Sequence, residues 1–127
     1  MSDVFPVELK QFIAQHVESL AQLEALLLLR QDRQTQWKSA ELSQRLYITP
    51  DMCEGILANL HQRGFVERSA EGGYRYHPNS SEADRVLADL ANVYQQRRVA
   101  VITEIYSKPV NKVQTFADAF RLRREQP

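Results

Sequence analysis

One cysteine, Cys53, is too few for an internal disulfide or a cysteine-only zinc cage. Neither charge is in excess: sixteen lysines and arginines meet sixteen aspartates and glutamates. That excludes a histone-like chain, whose nucleic-acid binding rests on bulk positive charge. Four glycines and five prolines are too few for a collagen-like or low-complexity protein. The longest purely apolar run, Ala25 to Leu29, falls far short of the roughly 18 residues that suggest a membrane span. The opening MSDVFPVELK has no basic segment ahead of an apolar one, so no signal peptide is expected, and a cytoplasmic location follows. His16, His61 and His77 lack HxxxH or HExxH spacing, and Cys53 beside Met52 and Ile56 suits a small core residue better than a metal ligand. Gly72-Gly73 is a turn and not a phosphate loop, and no serine, cysteine or threonine has a base-and-orienter context. No enzyme activity, metal or cofactor is expected.

What is present is a core. Apolar residues make up 43% of the 127 positions, enough for one compact domain with an appended helix. Leu9, Phe12, Ile13, Val17, Leu20 and Leu23 follow helical spacing and lead into Leu26-Leu27-Leu28-Leu29, which predicts a helix buried on every side. Whether Val7 to Arg30 is one helix or two with a bend near Glu18-Ser19 stays open. Thr35-Gln36-Trp37 is β-prone, and Ser39 stands as N-cap before a helix that buries Leu42 and Leu46. Thr49-Pro50-Asp51 starts the next helix, with Met52, Ile56, Leu57 and Leu60 on its apolar stripe and Gly64 as its stop. Two β-prone runs around Gly72-Gly73 predict a hairpin. From Ser81 to about Tyr106 no glycine or proline intervenes, so one long helix of about 39 Å is predicted. A last amphipathic helix, Val113 to Arg124, carries Phe116 and Phe120. The fold class is mainly α with a small β-hairpin.

The stretch SAELSQRLYITPDMCEGILANLHQRGFVERSAEGGYRYHP resembles the winged helix-turn-helix of small bacterial transcription regulators, the MarR-like and PadR-like groups especially. Ala40 to Leu46 looks like the first helix of the motif, Ile48 to Asp51 like its turn, and Ile56 to Val66 like the end of a recognition helix. The resemblance places the helix-turn-helix at 39–64 and the wing at 65–77, in a winged-helix domain spanning 1–78. Residues 79–127 become a helical extension for dimerisation. It implies a bacterial DNA-binding regulator that works as a homodimer on duplex DNA, with an effector crevice between the motif and the long helix.

In such a fold the second motif helix enters the major groove and the wing reaches the backbone. Ser43, Gln44, Arg45, Thr49, Asn59, Gln62, Arg63, Arg68 and Arg75 are the residues of suitable chemistry at those places. The outward face of the candidate recognition helix is otherwise acidic or neutral: Asp51, Glu54, Gly55 and Ala58. Leu87, Leu90, Tyr94, Arg97, Val101 and Ile105 make the expected dimer stripe. The alternative is a winged-helix protein-interaction module without DNA binding. It would use the acidic helix, or the C-terminal segment where Phe116 and Phe120 stand beside Arg121, Arg123 and Arg124.

Overall fold

The computed structural model describes residues 5–107, so Phe116, Phe120 and the predicted last helix lie outside the described residues. The elements run α1 (Val7–His16), α2 (Leu20–Gln31), α3 (Ser39–Leu46), α4 (Pro50–Gln62), β1 (Val66–Arg68), β2 (Tyr74–Tyr76), α5 (Ser81–Gln96) and α6 (Arg98–Tyr106).

The first apolar run is two helices, bent by 109°. Val17 takes an extended conformation with its side chain in the core. Ser19 then caps α2, its hydroxyl accepting from the Gln22 backbone N–H at 3.1 Å. The leucine run is not buried all round. Leu26 and Leu29 are fully inside, whereas Leu27 and Leu28 are half-buried. The bend is the reason, because α2 meets the core at an angle and leaves one flank partly open.

Helix α3 begins one residue earlier than its sequence suggests. Lys38 is the N-cap, and its backbone N–H donates to the Glu41 carboxylate at 3.3 Å. Ser39 is thereby inside the helix, with its hydroxyl free to bond elsewhere. Leu42 is buried and Leu46 only partly. In α4 the Thr49 hydroxyl accepts from the Met52 N–H at 3.1 Å, and Pro50 fills the first helical position. Its inner stripe is Cys53, Leu57 and Leu60, with Ile56 half-buried. Met52, expected on that stripe, faces outward.

Gly64 stops α4 at φ +87, and the Phe65 N–H returns to the Leu60 carbonyl at 3.0 Å in the six-to-one bond of a left-handed helix ending. The chain then enters an antiparallel hairpin that pairs Val66 with Tyr76, Glu67 with Arg75 and Arg68 with Tyr74. Gly72, at φ +92, turns its tip. The β-prone Thr35–Trp37 stretch contributes a single bridge, Trp37 to Tyr74, with reciprocal backbone bonds of 2.7 and 2.8 Å.

The predicted long helix breaks at Arg97, whose φ of −134 and ψ of 58 are not helical. No glycine or proline marks the place. Both halves, α5 and α6, pack on α1. The break lets Val86, Leu87 and Leu90 from α5, and Val101 and Ile105 from α6, join one core with Leu9, Phe12 and Ile13. That core draws on every element and on both sides of position 78. Among the described residues no single helix is long and apolar enough to cross a membrane.

Candidate nucleic-acid interface

The helix-turn-helix of α3 and α4 and the hairpin meet at Tyr74. Its ring is buried, and its backbone pairs with Trp37 on one side and Arg68 on the other. Its hydroxyl donates to the Glu54 carboxylate at 2.9 Å, and the Ser39 hydroxyl donates to the same carboxylate. These two hydrogen bonds hold the Glu54 carboxyl below its ordinary pKa, with Arg68 adding a smaller attraction. Burial, followed by Glu54, raises the phenol of Tyr74. Glu54 therefore ties α3, α4 and the wing together. Its carboxylate nonetheless stays exposed, and Asp51 one turn earlier is exposed as well, so the acidic face of α4 remains at the surface.

The arginines divide by what they touch. Arg30 and Arg33 meet Asp84, Arg63 meets Glu18, Arg75 meets Glu67, Arg85 meets Glu8 and Glu82, and Arg98 meets Glu24. Arg45 and Arg68 differ: both are exposed and neither has an ion pair among the described residues. Arg45 lies over the Trp37 ring at 5.5 Å from its centroid, and Arg68 over the Tyr74 ring at 5.7 Å. Trp37 and Tyr74 are bridge partners, so one aromatic pair carries both cations. A guanidinium stacked on a ring keeps its charge and its N–H donors available to a phosphate.

The other expected contact residues fall into two groups. Gln44, Thr49 and Gln62 are exposed, the Thr49 oxygen also serving as the α4 cap. Ser43 is buried, and its hydroxyl donates to the Ala40 carbonyl at 2.8 Å, so it cannot face a ligand. Asn59 is turned inward, accepting from Gln22 Nε2 and Arg63 Nε, each at 2.8 Å. Arg63 also donates to the Gln15 carbonyl at 3.0 Å and pairs with Glu18. Asn59 and Arg63 thus join α4 to the corner between α1 and α2. His16 stands in the same corner, 3.5 Å from Arg63, with its pKa lowered by burial and then by that guanidinium. Arg75 is neutralised by Glu67 across the hairpin.

The expected dimer stripe is mostly used within the chain. Leu87, Leu90, Val101 and Ile105 are buried in its own core. The Tyr94 hydroxyl donates to Glu24 at 2.6 Å, and Arg97 sits at the helix break. A crevice of about 660 Å³ opens between α2, α3 and α5, floored by Leu27, Leu28 and Leu46 and edged by Glu24, Tyr94 and Arg98.

Comparison with known proteins bears on the fold. No family profile and no curated protein matches the chain. Among solved structures, it is similar to MepR, a transcription regulator of the Staphylococcus aureus multidrug efflux pump MepA. That likeness has a TM-score of 0.51 at 15% identity and covers 94% of this chain and 91% of MepR. A MepR point mutant gives a TM-score of 0.52 at 12% identity, over 94% and 88% of the two chains. At such identities the likeness is one of architecture. Together with α3, α4 and the hairpin docked on one core, it makes this chain a winged-helix protein.

Proposed function

We propose that the chain is a DNA-binding transcription regulator of the MarR-like and PadR-like kind, acting in the bacterial cytoplasm as a homodimer on duplex DNA. The observation that carries this is the pair Arg45 and Arg68. They are the two exposed arginines of the motif without an ion pair, and they flank α4 on a shared aromatic support. The position of α4 fits a recognition helix whose N-terminal turn enters the major groove. Gln44 and Thr49 stand beside that turn as backbone contacts, and Gln62 is the exposed amide toward the other end. That MepR is a transcription regulator supports a regulatory role for the same architecture.

The dimer contact falls to the exposed apolar residues left on α1 and α6. These are Val7 at 65% exposure, Val99 at 76% and Tyr106 at 52%. In this division the helices beyond residue 78 close the core and supply the seam. The crevice between α2, α3 and α5 is where a small effector would lie.

The test is a binding titration on duplex DNA over a range of salt. Arg45→Ala and Arg68→Ala should each weaken binding on all sequences and lower the salt slope by about one. Arg75→Ala, already neutralised by Glu67, should leave the slope nearly unchanged. Binding that is absent at low salt, or indifferent to Arg45 and Arg68, refutes the proposal.

A further inference from the structure

Tyr47 ends α3 in the left-handed region, at φ 59 and ψ 43, and it is 94% exposed. It is the one described residue other than glycine with a positive φ. A bulky side chain pays for that conformation, and glycine would adopt it freely. The ring recovers nothing inside the molecule, since the side chain has no hydrogen bond, ion pair or ring contact with any described residue. The backbone geometry itself belongs to the helix ending, in which the Ile48 N–H returns to the Ser43 carbonyl at 3.1 Å. Glycine would serve that ending at lower cost, so an exposed tyrosine there points outward, toward something the ring meets.

Two neighbours repeat the pattern. Met52, in the first turn of α4, leaves its thioether chain 54% exposed although a polar residue would suit solvent better. Gly55, one turn further along that face, interrupts a helix interior where alanine would be more stable. Packing does not require it, because a Cβ there would meet nothing within 4 Å. A missing side chain at an open place admits close approach of another molecule. From Tyr47 to Gln62 the chain has no lysine or arginine, and its charged residues there are the exposed Asp51 and Glu54, so the usual bidentate contact of arginine with guanine is unavailable to α4. The major-groove feature that apolar side chains recognise is the thymine 5-methyl group.

Resting on the DNA-binding role above, we infer that Tyr47 and Met52 form an apolar reading edge for thymine methyl groups, with Gly55 giving the groove room to close on α4. Specificity then comes from methyl contacts, and Arg45 and Arg68 supply sequence-independent attraction. Removing one methyl from such a contact should cost about fourfold in affinity, the equivalent of burying one methyl(ene) group.

The probe is a random-sequence duplex pool, enriched on the protein and then copied with either dTTP or dUTP. The uracil copy lacks only the 5-methyl groups. The thymine copy should bind about fourfold more tightly for each methyl contacted. Tyr47→Gly and Met52→Ala should each shrink that ratio while the protein stays as stable as before, or becomes more so in Tyr47→Gly. Gly55→Leu should fold and yet lose affinity for both copies. Equal binding of the two copies by a protein that binds DNA overturns the reading edge alone. So does a Tyr47→Gly variant that is less stable, or one with an unchanged ratio, which would assign the face to the fold or to another macromolecule. No binding of either copy overturns the DNA-binding role as well.

Discussion

Replacing Gly64 with alanine tests how α4 is joined to the wing. Two costs are legible at this position. At φ +87 an alanine adopts a left-handed backbone, a penalty of about 1 kcal/mol or somewhat more. Its Cβ would also lie 2.4 Å from Asn79 Nδ2 and 3.0 Å from Asn79 Cγ, so the amide must rotate away. Asn79 is exposed, and its displacement off a rotamer costs roughly 0.5–1 kcal/mol. The backbone cannot yield instead, because the Gly64 carbonyl accepts from the Asn79 N–H at 2.8 Å and the Phe65 carbonyl from the His77 N–H at 2.9 Å. The sum is about 2 kcal/mol, or a fall of about 8 °C in midpoint for a domain of this size. Urea and thermal unfolding followed by circular dichroism give the value directly. Asn79→Ala removes the clash and not the backbone penalty, so in that background Gly64→Ala should cost only about 1 kcal/mol. A loss under 0.5 kcal/mol in the single variant would refute the left-handed ending. Equal losses in both backgrounds would refute the contact with Asn79.

Other expectations follow from burial and charge. Leu57→Ala empties a fully buried position between α4 and the core and should cost about 2–5 kcal/mol in urea unfolding. The Cys53 thiol, pushed up to about 11 by burial and then by Glu54, should resist a thiol reagent at pH 8 until the protein unfolds. His16 has a folded pKa below its unfolded value of 6.5, so the unfolded chain takes up the proton first. Stability should therefore fall as pH drops below about 6.5 and level off below the folded pKa, and His16→Gln should flatten that part of the profile. Val99→Asp should shift a dimer toward monomer in sedimentation experiments without lowering the midpoint of the monomer, since the side chain is exposed.

The sequence carried the local signals well. Thr49-Pro50-Asp51, Gly64 and Gly72-Gly73 each fix backbone geometry through their own chemistry, and α4 and the hairpin fell where those residues put them. Helix ends set by tertiary packing were less visible. The break at Arg97 has no breaking residue, and what distinguishes it is tertiary: both halves pack on α1. The candidate site was legible as a location but only partly as a set of side chains. Residue type gave Asn59, Arg63 and Arg75 the right chemistry for DNA, yet Gln22, Glu18 and Glu67 engage them. Those partners lie far away in sequence or across a hairpin, where periodicity says nothing. Ser43 was hidden by a local bond to Ala40, which its place on the buried side of α3 next to Leu42 would have signalled. Tyr47 drew no attention because conformational strain at one residue leaves no periodic trace.

Strands of three residues are too short to hold a hairpin rigid by themselves. Here the ribbon is pinned at its last rung before the tip, where Tyr74 also bridges to Trp37 in the segment that leads into α3. Lengthening the tip between Ser69 and Gly73 would extend the reach of the protein without altering the spacing of the two guanidinium groups at its base. The reach of the wing and the charge beside it are therefore set by separate segments of the chain.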